Sequence, residues 1–494
     1  MESLYSQLRE RAAVHGQEHV FRFWHTLDTA GRQRLLEDLG NVDFELLNRL
    51  VQTWVLSEPP EEHFRQIVAV PVIPPVEPGD TGAAAALKAG EQALRDGRVA
   101  IFMVAGGQGT RLGFDGPKGS YPIGAITGKS LFQYHAEKIS KLQERYQAIL
   151  PWYIMVSPSN HGATQKYFED HGFWELNRTD ILFIEQRMVP CVDLEGKLIL
   201  EAPDRLAASP NGHGGCIQAL VEGGALDDAQ RRGVDILSYY QVDNWAARVA
   251  DPYFIGYHCL RSASMSSKCH RRNDLREAVG VHCLCDGAYR VIEYSELDLY
   301  PQLLQTDGAG SPLFFAGNPA IHLLSVPFVR EIYTHFDTFP WHKAFKKIPY
   351  VDANGCPCKP DRPNGYKFET FVFDALRFTT HSPVALEIRR SGEYTPIKQF
   401  EGVNSVVVAR ASMSDYWAAW FEAAGYTIPR DTEGHCAVDL EISPAFALSR
   451  DEFVRKMKNK PLRLDAGIAI HADGSWEEGT PAAQKKTPAA PPKG

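Results

Sequence analysis

The unbroken apolar run Val99-Ala100-Ile101-Phe102-Met103-Val104 leads straight into a glycine-dense turn, Ala105-Gly106-Gly107-Gln108-Gly109-Thr110-Arg111-Leu112-Gly113, continued by Phe114-Asp115-Gly116-Pro117-Lys118. A short apolar run of this kind, β-rich and unbroken, reads as a strand buried on both faces. A turn at the C-terminal end of such a strand lies where open α/β sheets bind their ligands. Glycines let the backbone approach phosphates closely and adopt positive φ, so the stretch is expected to hold a phosphate-bearing ligand. The spacing Gly107-x-Gly109-x-x-x-Gly113 is one residue off the dinucleotide fingerprint, and no Gly-Lys-Ser/Thr closes the turn as in a P-loop. What remains is a loop flanked by two fixed cations, Arg111 and Lys118, suited to a triphosphate and to charge that develops during phosphoryl transfer.

Around this turn strand and helix alternate. A helix over about 130–148 precedes the strand-like run Trp152–Ser157, followed by Ile181–Ile184 and Ile236–Val242. This βαβ rhythm predicts an α/β fold with a doubly wound, mostly parallel sheet. Before it, Phe21, Trp24, Leu27, Leu35, Leu36, Leu39, Phe44, Leu47 and Leu50 recur at helical spacing, and these helices are expected to pack against the catalytic sheet. The proline-rich passage Pro71–Pro78 reads as an extended connector, with helix resuming from about Ala83 to Asp96.

The chain resembles a known family through Gly106–Gly113 and Pro117-Lys118, which look like the signature of the eukaryotic-type UDP-sugar pyrophosphorylases, and within them the UDP-N-acetylglucosamine pyrophosphorylase branch. That resemblance implies a nucleotidyltransferase Rossmann-like core over 97–385, a helical N-terminal region and connector over 1–96, and a small C-terminal domain over 386–474. It also implies UTP and a sugar 1-phosphate as substrates, with UTP held by Ala105, Gly106, Gly107, Gln108, Gly109 and Thr110. Gln186 follows a predicted strand, and its amide offers the donor and acceptor that the imide edge of uracil requires. The family's matching Gln contacts the uridine base. Ser209-Pro210-Asn211-Gly212-His213-Gly214-Gly215 is a second glycine turn, opening a helix over Cys216–Glu222. The family usually has Asn where this chain has His213, so a sugar contact is expected there from a different side chain, with the backbone role of Gly212 kept.

Tyr240-Gln241-Val242-Asp243-Asn244 places a carboxylate at a strand C-terminus. A lone carboxylate there suits Mg²⁺, which takes one or two protein oxygens and fills its octahedron from phosphates and water. Asp243 also matches the family's metal-binding Asp. Asp251-Pro252 reads as a helix N-cap with proline at the first helical position. The remaining roles come from the resemblance alone: Glu293, Tyr294 and Asn318 at the sugar, and Lys367 and Lys398 at the phosphates. The reaction implied is transfer of uridylate from UTP to N-acetylglucosamine 1-phosphate with release of pyrophosphate. A UDP-glucose or broad-specificity pyrophosphorylase is an alternative within the class, and a non-catalytic nucleotide-sugar sensor is one outside it.

A net charge of −9 suggests no nucleic-acid or anionic-membrane partner. The absence of a long apolar segment or a signal-peptide layout at Met1-Glu2-Ser3 points to a cytoplasmic protein. The nine cysteines include Cys283-Leu-Cys285 and Cys356-Pro-Cys358, with Cys269, His270 and His282 nearby. These could be read as zinc ligands, but the spacing is wrong for the usual knuckle, and reduced thiols are the expected state. The tail from about Ser475 to Gly494 is expected to be disordered for want of apolar residues.

Overall fold

The computed structural model describes residues 1–57, 62–76, 80–379 and 383–481. The chain divides into two compact units, each assembled from separated stretches. The smaller contains residues 1–65, 186–219 and 335–375, and the larger 66–185, 220–334 and 376–494. This partition cuts across the four consecutive segments suggested by the sequence.

The larger unit is built on an 11-stranded sheet. Val99–Val104 pairs in parallel with Trp152–Val156 on one side and with Ile236–Gln241 on the other. Ile181–Glu185 continues the parallel half beyond Trp152–Val156. Every residue of Trp152–Val156 is buried, and so is all of Val99–Val104 except its last residue, as a strand with helices on both faces must be. Because successive strands first add on one side of Val99–Val104 and Ile236–Gln241 then adds on the other, the strand order reverses between these two. That is the place where an open sheet leaves a crevice at its carboxyl edge. Further out the pairing becomes antiparallel, through His322–Ser325 and Met265–Arg271, and Val384–Ile388 then runs parallel to the latter.

The helix expected after the glycine turn runs Leu131–Tyr146, and the Ser130 side chain caps it by accepting the Gln133 N–H. The helices Val406–Ala423 and Arg450–Met457 and the strands Leu440–Ile442 and Ala466–Ile470 bury Trp417, Phe421, Phe453, Leu440 and Ile468 in the same apolar core as Leu131, Ile154 and Tyr240. The expected disorder after Ser475 is corrected in part. Trp476–Pro481 forms a third strand, antiparallel to Ala466–Ile470, because a turn in which His471 N–H donates to Ser475 O brings its backbone alongside. Backbone pairing does not depend on the apolar content that the composition lacks. Residues 482–494 of that tail, and Pro78 of the connector, lie outside the described residues. No helix among the described residues is long and apolar enough to cross a membrane.

In the smaller unit the helices Glu2–Val14, Thr29–Gly40 and Phe44–Trp54 form, the last two capped by Asp28 and Asp43. Their apolar face does not cover the large sheet as expected. Leu35, Leu39, Phe44, Leu47 and Leu50 share a core with Val189, Leu198, Leu206, Trp341 and Phe368, which come from short hairpins. Polar contacts fix the same partner: Gln17 Nε2 donates to Gly196 O at 2.9 Å, and Leu198 N–H donates to Gln17 Oε1 at 2.8 Å. Helical periodicity reports that a face is buried and is silent about what buries it.

Candidate active site

In the larger unit the glycine turn leaves Val104 with its carbonyls tied down from behind. Asn160 Nδ2 donates to Ala105 O at 2.9 Å and to Gly107 O at 3.3 Å, and Ser157 Oγ donates to Gly106 O at 2.9 Å. In a trans peptide the N–H points opposite the carbonyl, so the N–H groups of Gly106, Gly107 and Gln108 face away from these anchors. Among the described residues these three N–H groups donate to no other part of the chain. Three consecutive unspent backbone donors make a concave anion site. The turn is closed by Gly109 N–H to Gly116 O at 2.9 Å and by Lys118 N–H to Gly107 O at 3.0 Å. A Cβ at Gly109 would sit 2.7 Å from the Phe114 ring, whereas one at Gly107 would meet nothing within 4 Å, so its face is open. Positive φ occurs at Gly113 (+67°) and Gly116 (+153°) rather than at Gly106, Gly107 or Gly109. The early glycines therefore serve close approach and not handedness. Ser157 and Asn160 were not singled out in the sequence, although small polar residues just past a buried strand beside a glycine turn are a usable signal.

Asp243 follows the strand on the far side of the strand-order reversal, and the fold delivers it to Lys118: Nζ to Oδ2 is 2.8 Å. Both side chains are nearly covered, at 15% and 10% exposure. Burial alone would raise the Asp243 carboxyl, but the charges of Lys118 and Lys398 and the hydrogen bond from Lys118 outweigh it, and the group is held below its ordinary value. Lys398 reaches this point because Ile397 N–H donates to Asp243 O at 3.0 Å and Asn244 bridges to Pro396. Phe400 N–H then donates to Arg111 O at 3.1 Å, which ties the glycine turn to the same segment. Arg111 itself is exposed. Four of the expected residues, Arg111, Lys118, Asp243 and Lys398, are thus gathered at one edge with the unspent N–H groups. Asp251 caps the helix Pro252–Leu260 as expected, its Oδ1 accepting Tyr253 N–H at 3.1 Å.

Glu293 and Asn318 meet over Gly280 in the antiparallel part of the unit. A Cβ on Gly280 would lie 3.0 Å from Glu293 Oε1, and Asn318 N–H donates to Gly280 O at 2.9 Å. Glu293 opens the short helix Tyr294–Leu299, where Glu296 Oε2 accepts its N–H, and Tyr294 is half exposed. Of the residues considered as zinc ligands, Cys269, Cys283, Cys285, Cys356 and Cys358 are free thiols, as are the other cysteines, and no group of three or more His, Cys, Asp or Glu side chains among the described residues could hold a metal ion.

Gln186, Gly212, His213 and Lys367 belong to the smaller unit. Gln186 is buried, and its Nε2 donates to Gly212 O at 2.6 Å, so the amide braces the second glycine turn. Gly212 has φ +81° and ψ 170°, and a Cβ there would lie 2.3 Å from Thr370 O. Only glycine tolerates both. His213 Nδ1 accepts the Val372 N–H at 3.1 Å, and its ring stacks on Phe371 with centroids 5.2 Å apart. The other histidine against Phe371, His342, lies 4.3 Å from it and pairs with Asp374 Oδ2 at 2.8 Å. His213 therefore braces the loop at 370–374, a role the sequence did not suggest. Lys367 lies in the strand Gly365–Glu369, and its charge acts on Cys191, whose thiol burial pushes up to about 11, and on Glu201.

The family described as UTP–glucose-1-phosphate uridylyltransferase matches residues 64–462. The chain is 35% identical over 482 residues to UDP-N-acetylhexosamine pyrophosphorylase-like protein 1 of Xenopus tropicalis, covering 92% of this chain and 94% of that one. It is 33% identical over 438 residues to the UDP-N-acetylglucosamine pyrophosphorylase of Saccharomyces cerevisiae, covering 83% and 90%. Among solved structures, the uridine diphosphate N-acetylglucosamine pyrophosphorylase of Trypanosoma brucei in complex with an inhibitor superposes with a TM-score of 0.77 at 25% identity, covering 96% of this chain and 99% of that one.

Proposed function

Since this chain belongs to the UTP–glucose-1-phosphate uridylyltransferase family, we propose that it transfers uridylate from UTP to N-acetylglucosamine 1-phosphate, giving UDP-N-acetylglucosamine and pyrophosphate. The observation that carries the reading is the joining of unspent backbone donors at Gly106–Gln108 to the Lys118–Asp243 pair at the point where the strand order reverses. A sugar phosphate oxygen attacks the α-phosphorus of UTP, the bond to the β-phosphate oxygen breaks, and pyrophosphate leaves opposite. Little covalent work falls to the protein, whose contribution is positioning and charge stabilisation. The N–H groups of Gly106, Gly107 and Gln108, with Arg111 and Lys118, hold the triphosphate. Within the larger unit Lys398 neutralises phosphate charge, and Glu293, Tyr294 and Asn318 shape the sugar end.

Mg²⁺ fits this donor set: a single nearly buried carboxylate, Asp243, is what the ion uses when phosphates supply most of its oxygens. When bound it neutralises charge on the phosphates under attack. The preference for the acetamido sugar rests on the names of the relatives, whereas His213 in place of the family's Asn favours a second reading with broader sugar tolerance. Incubating the purified protein with UTP, N-acetylglucosamine 1-phosphate and Mg²⁺, then identifying the nucleotide sugar by mass and the pyrophosphate by a coupled assay, tests the reading. UDP-N-acetylglucosamine formed in step with pyrophosphate, and lost on chelation, supports it. Nucleotide binding without either product leaves a sensor.

A further inference from the structure

The segment from Arg390 to Lys398 does more than deliver a lysine. Tyr394 N–H donates to Arg390 O at 2.9 Å, and beyond it Thr395 N–H donates to Asn244 Oδ1 at 3.0 Å while Asn244 Nδ2 donates to Glu393 O at 2.8 Å. Tyr394 is therefore stitched on both sides to the strand end that carries Asp243. A buried ion cluster anchors the stitch from below. Lys268, wholly buried, pairs with Asp251 at 2.6 Å and with Glu393, and Arg248 reaches Glu393 at 3.5 Å.

The Tyr394 ring is clamped as well. It stacks on His270 with centroids 4.7 Å apart and planes 20° from parallel, and the Arg390 guanidinium lies 5.6 Å from its centroid. Arg390 is in turn held by Glu277. Yet the hydroxyl at the end of this clamped ring makes no hydrogen bond to the chain among the described residues, and the side chain is only partly covered. Burial and the charges of Asp243, Glu277 and Glu293 keep the phenol protonated against the pull of Arg390. The hydroxyl is thus a donor on a ring held at the strand end that carries Asp243. The contacts that order the ring, with His270, Arg390 and the apolar core, make no use of the hydroxyl, which stays available to a ligand.

We propose that the Tyr394 hydroxyl donates a hydrogen bond to the bound sugar 1-phosphate and thereby sets the affinity for that substrate. The inference rests on the uridylyltransferase reading above and adds a residue to it. Tyr394→Phe removes the hydroxyl and leaves the stacked ring, so the fold is retained. The expected result is a fall of about tenfold or more in kcat/KM for N-acetylglucosamine 1-phosphate, the range for loss of a hydrogen bond to a charged partner. The KM for UTP and the melting temperature stay where they were. An unchanged kcat/KM overturns the proposal, and so does an equal rise in the KM of both substrates. These failures leave the parent reading intact provided the natural protein releases pyrophosphate. If the natural protein releases none with any sugar phosphate, the parent reading fails and takes this inference with it.

Discussion

Asp243→Asn separates the chemical role of the carboxylate from its structural one. Asp243 and Lys118 form an ion pair at 2.8 Å with both side chains nearly covered. Removing one partner of such a pair leaves the other charge uncompensated, at a cost of about 3–5 kcal/mol. The amide keeps an oxygen in place as acceptor, so the lower end, about 3 kcal/mol, is the expected loss of stability. The loss in turnover is larger in kind, because an amide binds Mg²⁺ far less well than a carboxylate. A fall in kcat of about a hundredfold to a thousandfold or more is expected, comparable to deleting one preorganised electrostatic group. The double variant Lys118→Met/Asp243→Asn makes the two effects diverge. It removes both members of the 2.8 Å pair and leaves only Lys398 charged beside the position, so stability measured by urea unfolding recovers part of what the single variant lost. Turnover in the pyrophosphate assay stays as low or falls further. If activity returns together with stability, the pair is a structural ion pair and the phosphate-and-metal reading of this edge is refuted.

Three further outcomes follow from particular contacts. His213→Asn removes the ring that stacks on Phe371, and kcat/KM for N-acetylglucosamine 1-phosphate relative to glucose 1-phosphate is expected to rise; an identical ratio in both proteins would show that His213 only braces the loop. Burial holds His258 at about 4 and His282 at about 3, so the unfolded imidazoles bind protons first as pH falls below about 6.5, and stability drops by about 2 kcal/mol per imidazole by pH 5. Unfolding curves between pH 7 and 5 check this, with His258→Gln flattening the slope; a midpoint independent of pH contradicts it. Truncation after Asp473 deletes the strand Trp476–Pro481, and a lower melting temperature with turnover retained at low temperature is expected, whereas an unaltered melting curve would mean the strand adds nothing to the sheet.

What the sequence disclosed was whatever is encoded locally. Val99–Val104 and the turn after it could be read because a doubly buried strand and a ligand-binding turn each need their residue types in consecutive positions. Asp243 was legible for the same reason, as a carboxylate at the end of an apolar strand. Its partner was not, since Lys118 lies 125 residues away and no periodicity connects them. The same holds for Asn160 behind the glycine turn and for Tyr394 beside Asn244, whose roles depend on which strands become neighbours. The N-terminal helices were correctly placed on the chain but assigned the wrong partner, because the amphipathic pattern is indifferent to whether a sheet or a set of hairpins covers it. The Trp476–Pro481 strand escaped notice because an edge strand is held by its backbone, and composition does not record backbone pairing.

If the glycine turn and the Lys118–Asp243 edge serve uridylyl transfer as proposed, the acceptor sugar phosphate is the variable that the site selects. The most direct test is kcat/KM of the natural protein with UTP for N-acetylglucosamine 1-phosphate, its galacto epimer and glucose 1-phosphate, measured side by side. A site that pairs the acetamido N–H and C=O rejects the analogue lacking them. N-acetylglucosamine 1-phosphate is predicted to be the best of the three, with the other two turned over detectably. Glucose 1-phosphate as the best substrate would contradict the acetamido assignment, and pyrophosphate release with none of the three would contradict the account as a whole.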